Sequence, residues 1–449
     1  MEFRYIPNTE QDRKEMLQSL GLESVDQLFQ SIPENVRFQG DMQIPEAMTE
    51  DQLMESLENM AASNVSTKDH AVFLGAGAYD HYIPSVVKHL AFRSEFYTAY
   101  TPYQPEISQG VLQAIFEFQT MIGRLTEMDV VNASMYDAQS AMAEAAMMAA
   151  GSTRRKRVLV SGAVHPQAEQ VLQVYAKGQD VTVESIPAVN GITDIDALQQ
   201  MIGDDVAAVL VQYPNFYGTI EDLQTIGDMV HQHKGLLIVS VNPLAMGLLK
   251  SPGALGADIV VGEGQVLGNS LSFGGPYLGF FATTKALMRK LPGRIVGETV
   301  DQNGKRGFVL TLQAREQHIR REKATSNICS NQALNALITT IYMATIGKKG
   351  LVELAQVNLQ KAHYLSEQLQ TLPGVSMPFT APFFNEFVIK LPADVAAVNQ
   401  ALLEQGIIGG LDLGEIDPAL ANHMLIAVTE KRTKEQMDRF VSVLKEGIL

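Results

Sequence analysis

Ala254-Leu-Gly-Ala-Asp-Ile-Val-Val-Gly-Glu-Gly-Gln-Val-Leu-Gly-Asn-Ser-Leu-Ser-Phe-Gly-Gly-Pro-Tyr-Leu-Gly-Phe-Phe281 is the stretch on which the reading of this chain turns. Asp258 to Val261 is a short apolar run rich in β-branched residues, Gly262 to Ser270 is a glycine-rich turn, and Leu278 to Ala282 is a second apolar run. Such runs bounded by glycines predict a strand, an exposed turn and a returning strand. A turn of this kind, held between two strands, is a place for chemistry.

Upstream of it the same grammar repeats. Apolar runs at 158–160, 181–186, 207–212 and 236–241 alternate with helical patterns at 166–177, 195–202 and 223–233. Short strands alternating with helices predict crossover connections and a mostly parallel sheet covered by helices, with ligands bound beyond the carboxyl ends of the strands. The span 292–306 breaks the pattern, and 331–346 reads as a long apolar helix. A smaller α+β unit follows, with strands at 386–390 and 424–428 and helices at 394–405 and 434–444. At the other end, Thr9 with Asp12, Ser24 with Gln27 and Thr49 with Gln52 have the spacing of capping boxes, and Leu53, Leu57 and Met60 form an apolar stripe on the third helix. We therefore expect an N-terminal helical arm (1–65), a large α/β domain (66–330) and a long helix with a small C-terminal α+β domain (331–449).

With 449 residues there is ample chain for a large core. A net charge of −16 and a pI near 5.0 argue against nucleic acid and anionic membrane as partners. The single cysteine, Cys329, excludes an internal disulfide framework and reads as inert core rather than nucleophile. Without a signal-like start or a long apolar run, a cytoplasmic protein is expected.

Several blocks together resemble one family: Arg4-Tyr-Ile-Pro7, Tyr100-Thr-Pro-Tyr-Gln-Pro-Glu-Ile-Ser-Gln-Gly110, Asn132-Ala-Ser-Met-Tyr-Asp137, Gln212-Tyr-Pro-Asn-Phe-Tyr-Gly218, Gly262-Glu-Gly-Gln265, Phe273-Gly-Gly-Pro-Tyr-Leu-Gly279, Arg321-Glu-Lys-Ala-Thr-Ser-Asn-Ile328 and Val428-Thr-Glu430. The chain is similar, nearly end to end, to glycine decarboxylase, the P-protein of the glycine cleavage system, and within it to the first (α) subunit of species that split the enzyme. The resemblance implies a fold-type-I pyridoxal-phosphate (PLP) transferase fold. It also implies a reaction in which glycine loses carbon dioxide and its aminomethyl group passes to the lipoyl H-protein, acting as an oxidoreductase on a CH–NH2 group.

In the PLP-carrying form of that family the decisive turn carries the Schiff-base lysine; here it reads Glu263-Gly-Gln-Val-Leu267, with Val266 in place of the lysine. The strand where an aspartate should face the pyridine nitrogen reads Ile238-Val-Ser-Val-Asn242. No cofactor-binding residue and no metal site is expected in this chain, and PLP is expected in a second (β) subunit, with the two chains forming an α2β2 assembly. An autonomous PLP enzyme using Lys285 would be the exception to this reading.

The candidate catalytic residues are Tyr100, Thr101, Tyr103, Gln104 and Glu106, on a loop stiffened by Pro102 and Pro105. One reading is a loop packed by its own aromatics; the other is a loop lining an active site shared with the partner. The chain would then either complete the partner's pocket or act as a non-catalytic scaffold. Ser134 to Asp137 is an ordinary helix cap or a relic phosphate site. His231 and His233 read as a solvated helix end rather than a metal site, and Arg154 to Arg157 as charges facing the C-terminus of the preceding helix, with docking of an acidic lipoyl carrier as the alternative.

Overall fold

The structure is a computed structural model and describes residues 5–324, 326–328 and 331–448. Cys329 lies outside the described residues. The chain divides into two compact units, one ending at Val65 and the other starting at Ser66.

In the first unit all three capping boxes form. The Thr9 hydroxyl accepts from Asp12 N at 3.2 Å while Thr9 N donates to Asp12 Oδ2 at 2.7 Å, opening helix Glu10–Ser19. Ser24 and Gln27 open the 3-10 turn Val25–Phe29, and Thr49 with Gln52 opens helix Glu50–Ala62. Each box satisfies amides that the first helical turn leaves without carbonyl partners. Leu53, Leu57 and Met60 are exposed.

The second unit is built on a seven-stranded sheet. Its strands are β1 (Val130–Val131), β2 (Arg157–Ser161), β3 (Thr182–Ile186), β4 (Val206–Tyr213), β5 (Leu236–Val241), β6 (Ile259–Glu263) and β7 (Gly279–Thr283), in the order β1-β7-β6-β5-β4-β2-β3. The pairs from β3 through to β6 are parallel, while β7 runs antiparallel to β6 and to β1. The central strands are buried on both faces, and for that reason β4 and β5 read as unbroken apolar runs rather than alternating ones. Helices α1 (Gln109–Thr126), α2 (Ala138–Thr153), α3 (Pro166–Gly178), α4 (Ile195–Met201) and α5 (Leu223–Gln232) cover the sheet. Every residue of α2 from Ser140 to Ala150 is buried, which explains its alanine and methionine content.

Two regions hold more than the sequence reading named. The span 292–306 does break the strand–helix alternation, and Ile295–Val300 and Arg306–Thr311 form an antiparallel hairpin there, β8 and β9, around the turn Asp301–Lys305. The helix expected over 331–346 forms from Ala333 and ends in a kink at Gly347 (φ 62°), beyond which a second helical stretch runs on to Leu369; the two together are α6 (Ala333–Leu369). Glycine alone adopts that backbone without strain, so the apolar stripe of the first half ends there and a second stripe begins. The small sheet follows, with β10 (Glu386–Lys390), helix α7 (Val395–Glu404), β11 (Ile407–Ile408), β12 (Leu411–Asp412), β13 (His423–Ala427) and helix α8 (Lys434–Ile448). Its strand order is β10-β13-β12, and β11 pairs in parallel with the two-residue strand Ala71–Val72.

Candidate functional site

A cavity of about 270 Å³ opens where the parallel strands of the large sheet end. Gln212 and Asn215 come from the end of β4, Ser240 and Asn242 from β5, Glu263 and Val266 from β6 and its turn, and His165 from the turn leading into α3. This is the position that parallel α/β topology reserves for a ligand, because the strands stop there and their connections diverge.

Glu263 determines the character of the cavity. Its Oε1 accepts from Leu278 N at 2.8 Å and Gln265 N at 3.1 Å, and its Oε2 accepts from Ala138 N at 3.2 Å. Ala138 opens α2, whose cap Asp137 accepts from Ser140 N at 2.7 Å. The first turn of α2 is thus served by two side-chain carboxylates of the chain itself. Close packing enforces this: a Cβ on Gly279 would lie 2.7 Å from Met135 Cβ and press into the Asp137 carbonyl, so only glycine lets β7 approach the helix start. Burial pushes the Glu263 carboxyl up to about 8, against the pull of its three N–H donors, with nearby Asp137 raising it further.

A second acid, Glu386 at the start of β10, reaches the cavity from the small sheet. It accepts from Ala76 N at 2.6 Å and from the Tyr79 hydroxyl at 2.7 Å, and burial raises it to about 7. The Gly75-x-Gly77 turn is therefore the seat of a carboxylate. His165 Nε2 lies 3.0 Å from the Ala76 carbonyl and its Nδ1 accepts from Gln167 N at 3.2 Å. Burial holds its pKa below the ordinary histidine value, so the ring is neutral with its proton on Nε2.

The lining does not fit a PLP held through a lysine. Among the described residues no lysine lines the cavity; Val266, 2% exposed, occupies the turn, while Lys250 and Lys285 are exposed elsewhere. Strand β5 presents Ser240 and Asn242 rather than a carboxylate, and the helix start suited to a phosphate is taken by Glu263 and Asp137.

The loop carrying the candidate catalytic residues borders a different, mostly apolar cavity of about 180 Å³. Arg294, 5% exposed, braces this loop from beneath: Nη1 donates to the Thr101 hydroxyl at 3.1 Å and Nη2 to the Tyr103 hydroxyl at 2.8 Å, while Nε faces Glu316 Oε2 at 3.3 Å. The guanidinium also lies 4.9 Å from the centre of the Tyr103 ring. At the far end Gln109 ties the loop to β9 through the Phe308 backbone, at 2.9 Å and 2.8 Å. The five residues are engaged unequally. Thr101 and Tyr103 bond Arg294, while Tyr103 as well as Tyr100, Gln104 and Glu106 is exposed, Tyr100 by 81%. Residue spacing gave no sign of Arg294, Glu386 or His165, since each comes from a distant segment. Glu263 lies within the quoted Gly-Glu-Gly-Gln block, and its isolation among glycines was the available signal.

Other candidates resolve by geometry. Ser134 bonds Asn331, and Asp137 is a working cap. His231 and His233 face different carboxylates, Asp258 at 2.9 Å and Asp204 at 3.1 Å, and no cluster of potential metal ligands occurs among the described residues. Arg154 is the C-cap residue of α2, but the rest of the basic run points elsewhere: Arg155 donates to the Val206 and His233 carbonyls, Lys156 to Gln179 O, and Arg157 to Glu184 and Met201 O. These side chains tie the starts of the strands to the turns around them. No helix among the described residues is long and apolar enough to cross a membrane.

Known proteins are similar to this chain over nearly all of its length. The family model "Glycine cleavage system P-protein" matches residues 3–444. Proteins named "Probable glycine dehydrogenase (decarboxylating) subunit 1" are similar: that of Listeria innocua is 60% identical, with 99% of each chain covered, and that of Geobacillus kaustophilus 58% identical, with 100% of each covered. Among solved structures, an inhibitor-bound glycine decarboxylase (P-protein) superposes with a TM-score of 0.90 at 44% identity, covering 100% of both chains. Glutamate decarboxylase of Lactobacillus brevis, at 13% identity and TM-score 0.68 over 94% of this chain and 97% of that one, shares the fold-type-I architecture alone. On these grounds the chain belongs to the glycine cleavage system P-protein family.

Proposed function

We propose that this chain is subunit 1 of glycine dehydrogenase (decarboxylating), that it holds no PLP, and that its 100–106 loop completes a site whose PLP sits in the second subunit. The bracing of that loop carries the reading. A buried guanidinium fixes Thr101 and Tyr103 from below while Tyr100, Gln104 and Glu106 stay outward, an arrangement that positions polar tips for something beyond the chain's own core. A loop serving only its own packing would turn its aromatics inward.

PLP, where bound, accepts the electron pair that glycine releases with carbon dioxide. This chain's part is to hold donors and acceptors rigidly around the substrate and to exclude water. The proposed assembly is an α2β2 complex in the cytosol that receives glycine and hands the aminomethyl group to the lipoyl H-protein.

The test is glycine–carbon dioxide exchange by the two purified chains, separately and mixed, with absorption spectra of each. The reading expects no PLP band and no borohydride-trapped lysine in this chain alone, and exchange only on mixing. A trapped pyridoxyl-lysine in this chain would refute it. Full exchange by a complex carrying Tyr100→Phe would leave the chain a scaffold.

A further inference from the structure

A third cavity, of about 420 Å³, lies between the 67–71 segment, the start of β11, the 431–432 turn and α8. Its lining is cationic: Lys68, Lys431, Arg432 and Arg439 face a single carboxylate, Asp69, with His70 and Gln436 beside them. Behind the lining, Asp80 accepts from Lys431 Nζ at 2.6 Å and from Arg432 Nη2 at 3.0 Å. The lining itself thus holds four cations and one carboxylate, with the carboxylates of Asp80 and Glu430 behind it. This is unusual in a chain of net charge −16.

The donors are also incompletely used. The Arg432 side chain is 3% exposed, yet its Nε and Nη1 have no hydrogen-bond partner, and neither has His70 Nδ1. A guanidinium offers five N–H donors in a rigid fork and is rarely buried with two nitrogens unanswered. Its geometry matches a planar or tetrahedral oxyanion. The remaining cations approach from three separate elements, which suits a group carrying several charged oxygens rather than a single carboxylate.

We propose that this cavity is a binding site for a small phosphoryl anion, inorganic phosphate or a phosphate ester carrying about two negative charges. The site is separate from the cavity at the ends of the parallel strands and from the 100–106 loop, and it does not depend on the reading given for either. Lys68 and Arg439 supply the exposed half of the site, and Lys431 and Arg432, anchored by Asp80, the buried half.

The experiment is isothermal titration of the full chain with inorganic phosphate and with pyrophosphate at low ionic strength, beside the double variant Lys68→Gln/Arg439→Gln. Both substituted residues are exposed, and an unchanged melting temperature establishes that the variant is folded. The proposal expects saturable one-to-one uptake of at least one anion, weakened roughly tenfold or more in the double variant and by added salt, since each lost cation removes a charge-assisted bond. Absence of uptake by the native chain, or equal uptake by both proteins, would overturn it. Binding to anionic phospholipid vesicles without uptake of either soluble anion would overturn it as well.

Discussion

Glu263 Oε2 sits 3.2 Å from the backbone nitrogen of Ala138, so a carboxylate of the chain itself meets the start of the helix that faces the strand-end cavity. Its ordinary value is 4.5 and burial raises it to about 8, so the neutral form is favoured in the folded chain. The stabilisation this contributes is full below about pH 4.5 and is lost as pH rises through about 8, with a slope of at most ~1.4 kcal/mol per pH unit. Glu263→Gln keeps the shape and removes the titration. Its denaturation midpoint in urea should therefore fall less steeply than the native one between about pH 5 and about pH 8.5, Glu386 and Glu144, both raised to about 7, retaining their share. Parallel pH profiles would show that Glu263 does not titrate in this range.

Tyr100 and Tyr103 should separate function from stability. Tyr103→Phe leaves a buried Arg294 donor without this acceptor and should cost ~1–3 kcal/mol in urea unfolding. Tyr100→Phe alters an exposed residue and should change stability by less than about 0.5 kcal/mol, yet lower exchange by the mixed chains roughly tenfold if its hydroxyl meets the transition state. Equal stability losses in the two variants would contradict the bracing scheme.

Arg294→Met should be among the most damaging single changes. Arg294 and Glu316 side chains are each 6% exposed, and removing Arg294 leaves the buried Glu316 with the more distant His318, 3.6 Å away, as its ion-pair partner. Breaking such a pair costs ~3–5 kcal/mol. The loop loses its brace at the same time, so exchange should fall even at temperatures where the variant is folded. A melting temperature close to native would mean that Glu316 finds another partner or a proton.

Gly279→Ala tests the close approach of β7 to the α2 start. Its methyl group would lie 2.7 Å from Met135 Cβ and against the Asp137 carbonyl, neither of which is a flexible chain end. Overpacking of this kind costs ~1–3 kcal/mol or more, and the shift should also loosen the Ala138–Glu263 bond. Hydrogen exchange at Ala138 and the melting temperature are the readouts; native values for both would show that the backbone moves aside freely.

Much of the architecture was legible because it rests on local rules. Alternating apolar runs and helical stripes specify crossover units, capping boxes specify helix starts, and both survived into the fold from Thr9 to Ile448. The absence of a lysine at Val266 is likewise a matter of chain order. The β8–β9 hairpin escaped because its strands carry mixed polar and glycine residues that acquire a buried face only on packing against α1. The second half of α6 escaped because Gly347 interrupts the periodicity.

The chemistry of the sites was decided only in three dimensions. Arg294 meets Thr101 and Tyr103 across more than 190 positions of chain, Glu386 meets Ala76 across 310, and Asp80 meets Arg432 across 352. Local propensity carries no information about such pairs, since a charged side chain has no period or cap that names its partner. Burial supplies what the sequence lacks: it makes an unpaired charge costly, and so selects which distant groups must meet and what protonation state they hold.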